Sequence, residues 1–210
     1  MKYIGFASTK GGVAKTTSAI HFAYWAATTK DLSTLLVDDD GNRTALKWAS
    51  RSMENATFES PFAIAPYTKL ARASQGKEMV VLDTQASISK EALQDLAEDC
   101  NLVIVPTKSD IDSLNGAVDT AMAIQEKGGD YRILITDCPP APSKIAVDAQ
   151  EDLTSDGLKV SKQRIRRGAG IHHASLTGTT AAQQASKYRG PWWDYQKAFA
   201  EIYGLIENDE

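Results

Sequence analysis

The residues best suited to chemistry are two lysines and two threonines within Ser8-Thr9-Lys10-Gly11-Gly12-Val13-Ala14-Lys15-Thr16-Thr17. This stretch follows a short apolar run, Tyr3-Ile4-Gly5-Phe6-Ala7, and precedes a helical pattern that begins near Thr16. A glycine-rich turn between strand and helix presents backbone N–H groups at the positive end of a helix dipole, where phosphate binds well. Lys15 can reach the outer phosphates of a nucleotide, and the Thr16 hydroxyl can ligate Mg²⁺. The plain spelling G-x-x-x-x-G-K-[ST] is not met, because Thr9 and Ala14 stand where glycines are expected. Alanine tolerates positive φ poorly, so Ala14 places the loop's ordinary backbone angles in question. A second lysine, Lys10, stands directly before Gly11-Gly12.

Carboxylates follow at two later points. Asp38-Asp39-Asp40 come after the apolar run Thr34–Val37. Three adjacent carboxylates are costly unless a cation or solvent compensates them. Two readings are open: a turn leading into a helix N-terminus, where Asp is favoured, or a site for Mg²⁺ and a water. The run Met79–Leu82 closes on Asp83. That is a Walker B arrangement, which holds Mg²⁺ directly or through water. Thr107-Lys108-Ser109-Asp110 resembles the guanine-reading T-K-x-D motif of GTPases, but its position argues against that use. Thr136-Asp137-Cys138-Pro139-Pro140-Ala141-Pro142-Ser143 reads as a rigid loop, with Ser143 capping the next helix. Finally, Lys159, Lys162, Arg164, Arg166 and Arg167 place five cations in nine residues. Such runs are usually solvated faces. The other reading is a phosphate-binding patch that grips nucleic acid without sequence preference, extended by Lys187 and Arg189.

The spelling K-G-G-x-x-K-T-T, from Lys10 to Thr17, resembles the deviant Walker A box of the ParA/MinD family of partitioning ATPases. The resemblance covers most of the chain, more loosely over residues 150–210, and comes nearest to short plasmid-type ParA proteins. It implies a P-loop α/β fold, with Lys10, Gly11, Gly12, Val13, Ala14, Lys15, Thr16 and Thr17 holding ATP. Lys10 would reach across a homodimer to the partner's nucleotide. Mg²⁺ would be held by Thr16, Asp38 and Asp83, and Asp40 would orient the attacking water. The segment Asp38–Asn42 looks like the family's V-D-x-D-P-Q, with Gly41 and Asn42 replacing its last two residues. Asp83-Thr84 resembles the family's D-T-P-P switch, with Gln85-Ala86 in place of the prolines. Asp137 would lie near the adenine.

The same resemblance implies a cycle. The ATP-bound dimer would bind nonspecific DNA through its doubled basic patch, and a ParB-like centromere-binding or cargo adaptor protein would trigger hydrolysis and release. Plasmid or chromosomal DNA segregation is the leading expectation, in a cytoplasmic, nucleoid-associated protein. Positioning of a protein cargo such as a carboxysome and activation of a small metabolic substrate are the alternatives.

These residues need a scaffold that delivers them to one edge. Six strand-like runs, at 2–7, 34–37, 62–65, 79–82, 102–105 and 132–135, alternate with helical patterns. This predicts a mostly parallel twisted sheet flanked by helices on both faces. Several runs are apolar without alternation, as strands buried on both faces are. Ligands in such sheets bind beyond the carboxyl ends of the strands, where the candidate residues stand. Helices are expected over 16–29, near 113–127 and from Gly190 onward. His21 reads as a packing histidine, because no second ligand stands at metal-binding spacing.

With 210 residues, 42% of them hydrophobic and 24% charged, one globular domain over 1–210 is expected. The net charge of −4 confines any nucleic-acid affinity to a local patch. Cys100 and Cys138 lack CxxC spacing and read as ordinary buried thiols. The acidic end Glu207-Asn208-Asp209-Glu210 is unlike a basic amphipathic membrane anchor, so no membrane partner is expected.

Overall fold

The computed structural model describes residues 1–54, 60–140 and 144–207. Six parallel strands form one sheet: β1 (Lys2–Phe6), β2 (Thr34–Asp39), β3 (Ala63–Pro66), β4 (Met79–Thr84), β5 (Leu102–Thr107) and β6 (Tyr131–Ile135). Their spatial order is β3-β2-β4-β1-β5-β6. The helices are α1 (Lys15–Thr29), α2 (Thr44–Glu54), α3 (Leu70–Ala73), α4 (Lys90–Asp99), α5 (Ile111–Glu126), α6 (Lys144–Ser155), α7 (Ala169–Thr177) and α8 (Gly190–Glu207). The expected Ser143 cap and the acidic residues 208–210 lie outside the described residues.

The unbroken apolar runs divide between two cores. Ile4, Phe6, Leu36, Val81, Ile104 and Leu134 face one core, with α1 and α8. Leu35, Val37, Val80, Leu82, Val103, Val105, Ile133 and Ile135 face the other, with α4, α5 and α6. Successive side chains of a strand point to opposite faces, so a strand covered on both sides must be apolar at every position. Small residues let α1 lie close to the sheet: Ala19, Ala23 and Ala26 are fully buried. Phe22 and Trp25 of α1 pack their rings on Phe199 of α8. Cys100 and Cys138 are free buried thiols, and burial pushes them up to about 12 and about 11. No helix among the described residues is long and apolar enough to cross a membrane.

The basic stretch, which the sequence offers as a solvated charge run or a phosphate-binding patch, borders the sheet. Ser161 N–H donates to the Ile133 carbonyl at 2.8 Å, and Ile165 N–H to the Ile135 carbonyl at 2.9 Å. Isolated parallel bridges join Ile133 to Val160 and Cys138 to Arg166. Residues 159–167 thus follow β6 as an irregular extra strand.

His21 ties three parts of the fold together. Its Nε2 accepts from Ala181 N–H at 3.0 Å, and its Nδ1 lies 2.7 Å from the Thr17 carbonyl oxygen. Since Nε2 accepts, the ring is neutral and carries its proton on Nδ1. The ring stacks on Tyr195 of α8 with centroids 4.9 Å apart, and Trp48 of α2 meets it edge-on. Burial lowers the His21 pKa to about 4, with its bond to the Thr17 carbonyl opposing. An unfolded histidine titrates near 6.5, so between those values the unfolded chain binds the extra proton and stability rises with pH. Acidification from pH 7 to 4 should therefore cost the His21 site about 3 kcal/mol. Urea midpoints at pH 7 and pH 4.5, measured for the native chain and for His21→Gln, check this. The variant should lose less stability on acidification than the native chain.

Candidate nucleotide site

The loop between β1 and α1 is pinned from three sides. Thr9 N–H donates to the Thr120 hydroxyl of α5 at 3.1 Å. The Thr136 hydroxyl donates to the Val13 carbonyl at 3.1 Å. The Lys15 ammonium closes the loop on itself, donating to the Lys10 carbonyl at 3.2 Å. Gly12 and Ala14 both take left-handed angles, with φ of 72° and 67°. The departure at Ala14 therefore leaves the loop geometry in place, at the cost of a Cβ in a region that disfavours one. Restoring glycine should stabilise the ligand-free protein: Ala14→Gly is expected to gain about 1 kcal/mol in denaturant unfolding.

Register brings the carboxylates to the same edge. Asp38 of β2 pairs with Asp83 of β4, and Asp83 with Phe6 of β1. Asp83 is fully buried, and neither of its oxygens has a hydrogen-bond partner of normal geometry among the described residues. Burial raises its pKa to about 7; the Thr16 hydroxyl and the Lys15 charge oppose that shift, while Asp38 and Asp40 add to it. Lys15 is also buried. Desolvation lowers its pKa against the attraction of Asp83 and Asp40. An orphaned carboxylate beside a hydroxyl fits a hard cation. Mg²⁺ uses few protein oxygens together with phosphate and water, rather than an all-protein cage. No cluster of three or more His, Cys, Asp or Glu suited to a metal occurs among the described residues.

Both readings of the aspartate run have support. The Asp38 carboxylate accepts from Asp40 N–H at 3.0 Å and from Leu46 N–H at 2.9 Å. The Asp40 carboxylate accepts from Asn42 N–H at 3.1 Å and from the Thr44 hydroxyl at 3.0 Å. The two carboxylates thus brace the turn and the start of α2. Asp40 also lines a cavity of about 210 Å³, with Gly12, Ala14, Lys15, Thr16, Thr17, Thr84 and Ala86. Asp39 points to solvent, and partial burial between two like charges raises its pKa.

A second cavity of about 460 Å³ shares Gly12, Ala14 and Thr17 and continues past Lys108, Asp137, Arg167, His172 and Tyr195. Asp137 faces this space, but its carboxylate is engaged. Arg167 grips it through two bonds of 2.8 and 3.0 Å, and Lys108 stands 3.7 Å away. Asp110 caps α5 by accepting from Ser113 N–H at 3.0 Å and its hydroxyl at 2.9 Å. The T-K-x-D resemblance is therefore a helix cap. A larger apolar cavity, about 850 Å³, is lined by Trp48, Phe62, Ile64 and Thr180, and none of its lining residues among the described residues is ionisable.

The five clustered cations do not form an unpaired patch. Arg166 is bidentate on Asp194, at 2.6 and 2.7 Å, and that aspartate is 2% exposed. Arg167 holds Asp137, Lys159 pairs with Asp130, and Arg164 donates to Gln150. Lys162 is exposed. Of the two outlying cations, Arg189 bonds the Gln184 carbonyl and Lys187 lies over the Tyr188 ring. Acceptors far away in sequence, Asp130, Asp137 and Asp194, provide this pairing, and no local pattern reveals it.

The family described as AAA domain (AAA_31) matches residues 1–163. The chain belongs to this family. Within it, the chain is a deviant Walker A ATPase of the ParA/MinD type. A curated relative, the maintenance of carboxysome distribution protein A of Gloeobacter kilaueensis, is 29% identical over 92% of this chain and 90% of its own. Among solved structures, a plasmid partition protein of Borrelia burgdorferi B31 bound to AMPPNP matches with TM-score 0.72 and 15% identity, over 96% of this chain and 99% of that one. The apo McdA of Cyanothece gives 0.72 and 14%, over 98% and 99%. The cell division ATPase MinD of Pyrococcus furiosus gives 0.69 and 17%, over 97% and 99%. At such identities the structural likeness speaks for the fold.

A buried carboxylate with a raised pKa destabilises the folded state as pH rises, because the native chain holds the proton more tightly than the unfolded one. Asp83→Asn should therefore raise the melting temperature of the ligand-free protein at pH 8, and the gain should vanish near pH 4. Thermal unfolding at the two pH values measures it.

Proposed function

We propose that the chain is a Mg²⁺-dependent ATPase that positions a protein assembly inside the cell by cycling between nucleotide states. The observation that carries the cargo assignment is the relative maintaining carboxysome distribution, alike along nearly the full length of both chains. DNA segregation, the leading expectation from sequence, has the weaker support, since the plasmid partition structure resembles this chain at 15% identity. Activation of a small metabolic substrate finds no support in the large apolar cavity, whose lining among the described residues offers no acid or base.

In this reading ATP lies along the two cavities that meet at Gly12, Ala14 and Thr17. The N–H groups of Gly11 to Thr17 and the Lys15 ammonium hold the phosphates, and Lys15 exchanges the Lys10 carbonyl for a phosphate oxygen. Thr16 and Asp83, with Asp38 behind them, would hold Mg²⁺, which would supply neutralisation of the charge developing on the phosphates and compensation of the Asp83 carboxylate. Asp40 orients the attacking water once the bonds to Asn42 and Thr44 give way. Lys10, which is exposed, reaches the nucleotide of a second copy.

DNA is the surface on which the ATP state travels. Arg166 cannot take part, because releasing it would strand the buried Asp194. Exposed pairs contribute little, so Lys159 and Arg167 can exchange carboxylate for phosphate, joined by Lys162 and Arg164. An adaptor protein completes the cycle by triggering hydrolysis.

Four measurements test this. Asp40→Ala should lower turnover about a hundredfold while ATP still binds, and unchanged turnover removes Asp40 from the chemistry. Lys10→Ala should abolish the ATP-dependent dimer in sedimentation, and an intact dimer refutes the cross-subunit role. Retention on DNA should appear with ATP alone and weaken with salt; equal retention with ADP or no nucleotide sinks the cycle. Deleting the gene in its host should cluster a protein assembly without raising plasmid loss, and the reverse result restores the segregation reading.

A further inference from the structure

Helix α5 is drawn unusually close to the phosphate loop at Gly116. Glycine inside a helix costs about 1 kcal/mol relative to alanine, so this position calls for a reason. A Cβ there would stand 2.4 Å from Lys10 Cγ, 3.1 Å from Thr9 Oγ1 and 3.3 Å from Lys10 Cε. The stem of Lys10 therefore lies across the bare backbone of α5. The Gly116 carbonyl accepts from the Thr9 hydroxyl at 3.0 Å and from the Thr120 hydroxyl at 2.6 Å. The Thr120 hydroxyl in turn accepts from Thr9 N–H at 3.1 Å. Lys10 N–H is fixed by the Ser8 hydroxyl at 3.2 Å. The backbone entering Lys10 and the stem leaving it are both held, while the residue remains exposed.

We infer that Thr9, Gly116 and Thr120 are positioning residues for Lys10, forming a seat on α5 from which its ammonium is presented to a second copy of the chain. The inference rests on the proposed role of Lys10 in a shared nucleotide site. Thr9, one of the two departures from the plain P-loop spelling, acquires a purpose, since a glycine there would have no hydroxyl to bind α5. A long lysine side chain loses considerable rotamer freedom when it engages a partner. The seat removes part of that freedom before the second copy arrives.

Gly116→Ala separates this role from a structural one. The substitution favours the helix yet evicts the Lys10 stem. Turnover should fall about tenfold, since misplacing a reacting group by about 1 Å costs up to a hundredfold. The dissociation constant of a fluorescent ATP analogue should stay within twofold, because Gly116 stands outside the nucleotide cavities. Thr120→Val should act in the same direction, and Thr120→Ser should restore turnover by returning the hydroxyl.

The seat is read directly, without any activity, by nuclear Overhauser contacts between Lys10 methylene protons and Gly116 Hα in the nucleotide-free protein. Absent contacts, or normal turnover in both Gly116→Ala and Thr120→Val, overturn the inference. Contacts present in a chain that neither dimerises nor hydrolyses ATP would uphold the seat and refute the proposed function instead.

Discussion

The fold places a carboxylate where folding alone cannot satisfy it. Asp83 is the penultimate residue of β4, at the middle of the sheet, with β1 on one side and β2 on the other. Its oxygens are sealed from water and have no hydrogen-bond partner of normal geometry among the described residues. An isolated buried charge is among the most expensive features a protein can carry, and it usually responds by keeping its proton. Lys15 bears the complementary strain, since its ammonium is buried against desolvation and attracted by Asp83 and Asp40. Each group moderates the other, and in the proposed nucleotide-bound state oxyanions and a cation would enter between them. The ligand-free site is therefore poised, and the sheet's hydrophobic burial holds it so.

Much of this was legible in the sequence. The six strands stand where the apolar runs predict them, because a strand covered on both faces has no room for polar alternation. The loop from Lys10 to Thr17 was legible as a candidate through its resemblance to a deviant Walker A box, and Asp83 through its place at the end of an apolar run, since both signals lie in local order along the chain. Asp38 and Asp40 were legible both as candidates for Mg²⁺ and water and as part of a turn into a helix, but the groups they accept from, Asp40 N–H, Leu46 N–H, Asn42 N–H and the Thr44 hydroxyl, appear only with the backbone in place. What remained hidden joins distant residues. Asp194 lies 28 positions from Arg166, and Asp137 lies 30 from Arg167. A stretch that reads as loose positive charge is in fact largely paired. Ala14 misled differently. Its type argued against a left-handed angle, yet the contacts around the loop impose one.

The C-terminal third, where the family spelling fades, acts as a clamp. Tyr195 bonds the Ser18 hydroxyl at 2.9 Å and stacks on His21. Trp48 Nε1 donates to the Thr179 carbonyl at 2.8 Å. The helix that follows the phosphate loop and the helix that follows the aspartate turn are both held by this region. A buried neutral histidine at that junction suits a rigid joint, because its two ring nitrogens bond in opposite directions.

The irregular strand along β6 has a consequence for assembly. An exposed sheet edge offers unpaired N–H and C=O groups to any other strand. Here residues 159–167 occupy one edge, with Lys159, Lys162 and Arg164 along it. The opposite edge strand, β3, has only four residues and ends at Pro66. Both flanks of the sheet are blunted against extension, so a filament grown by strand addition is disfavoured. In the proposed dimer the copies meet instead at the strand tips, the face that also carries the phosphate loop, so the nucleotide and the second copy share one surface and each helps to hold the other.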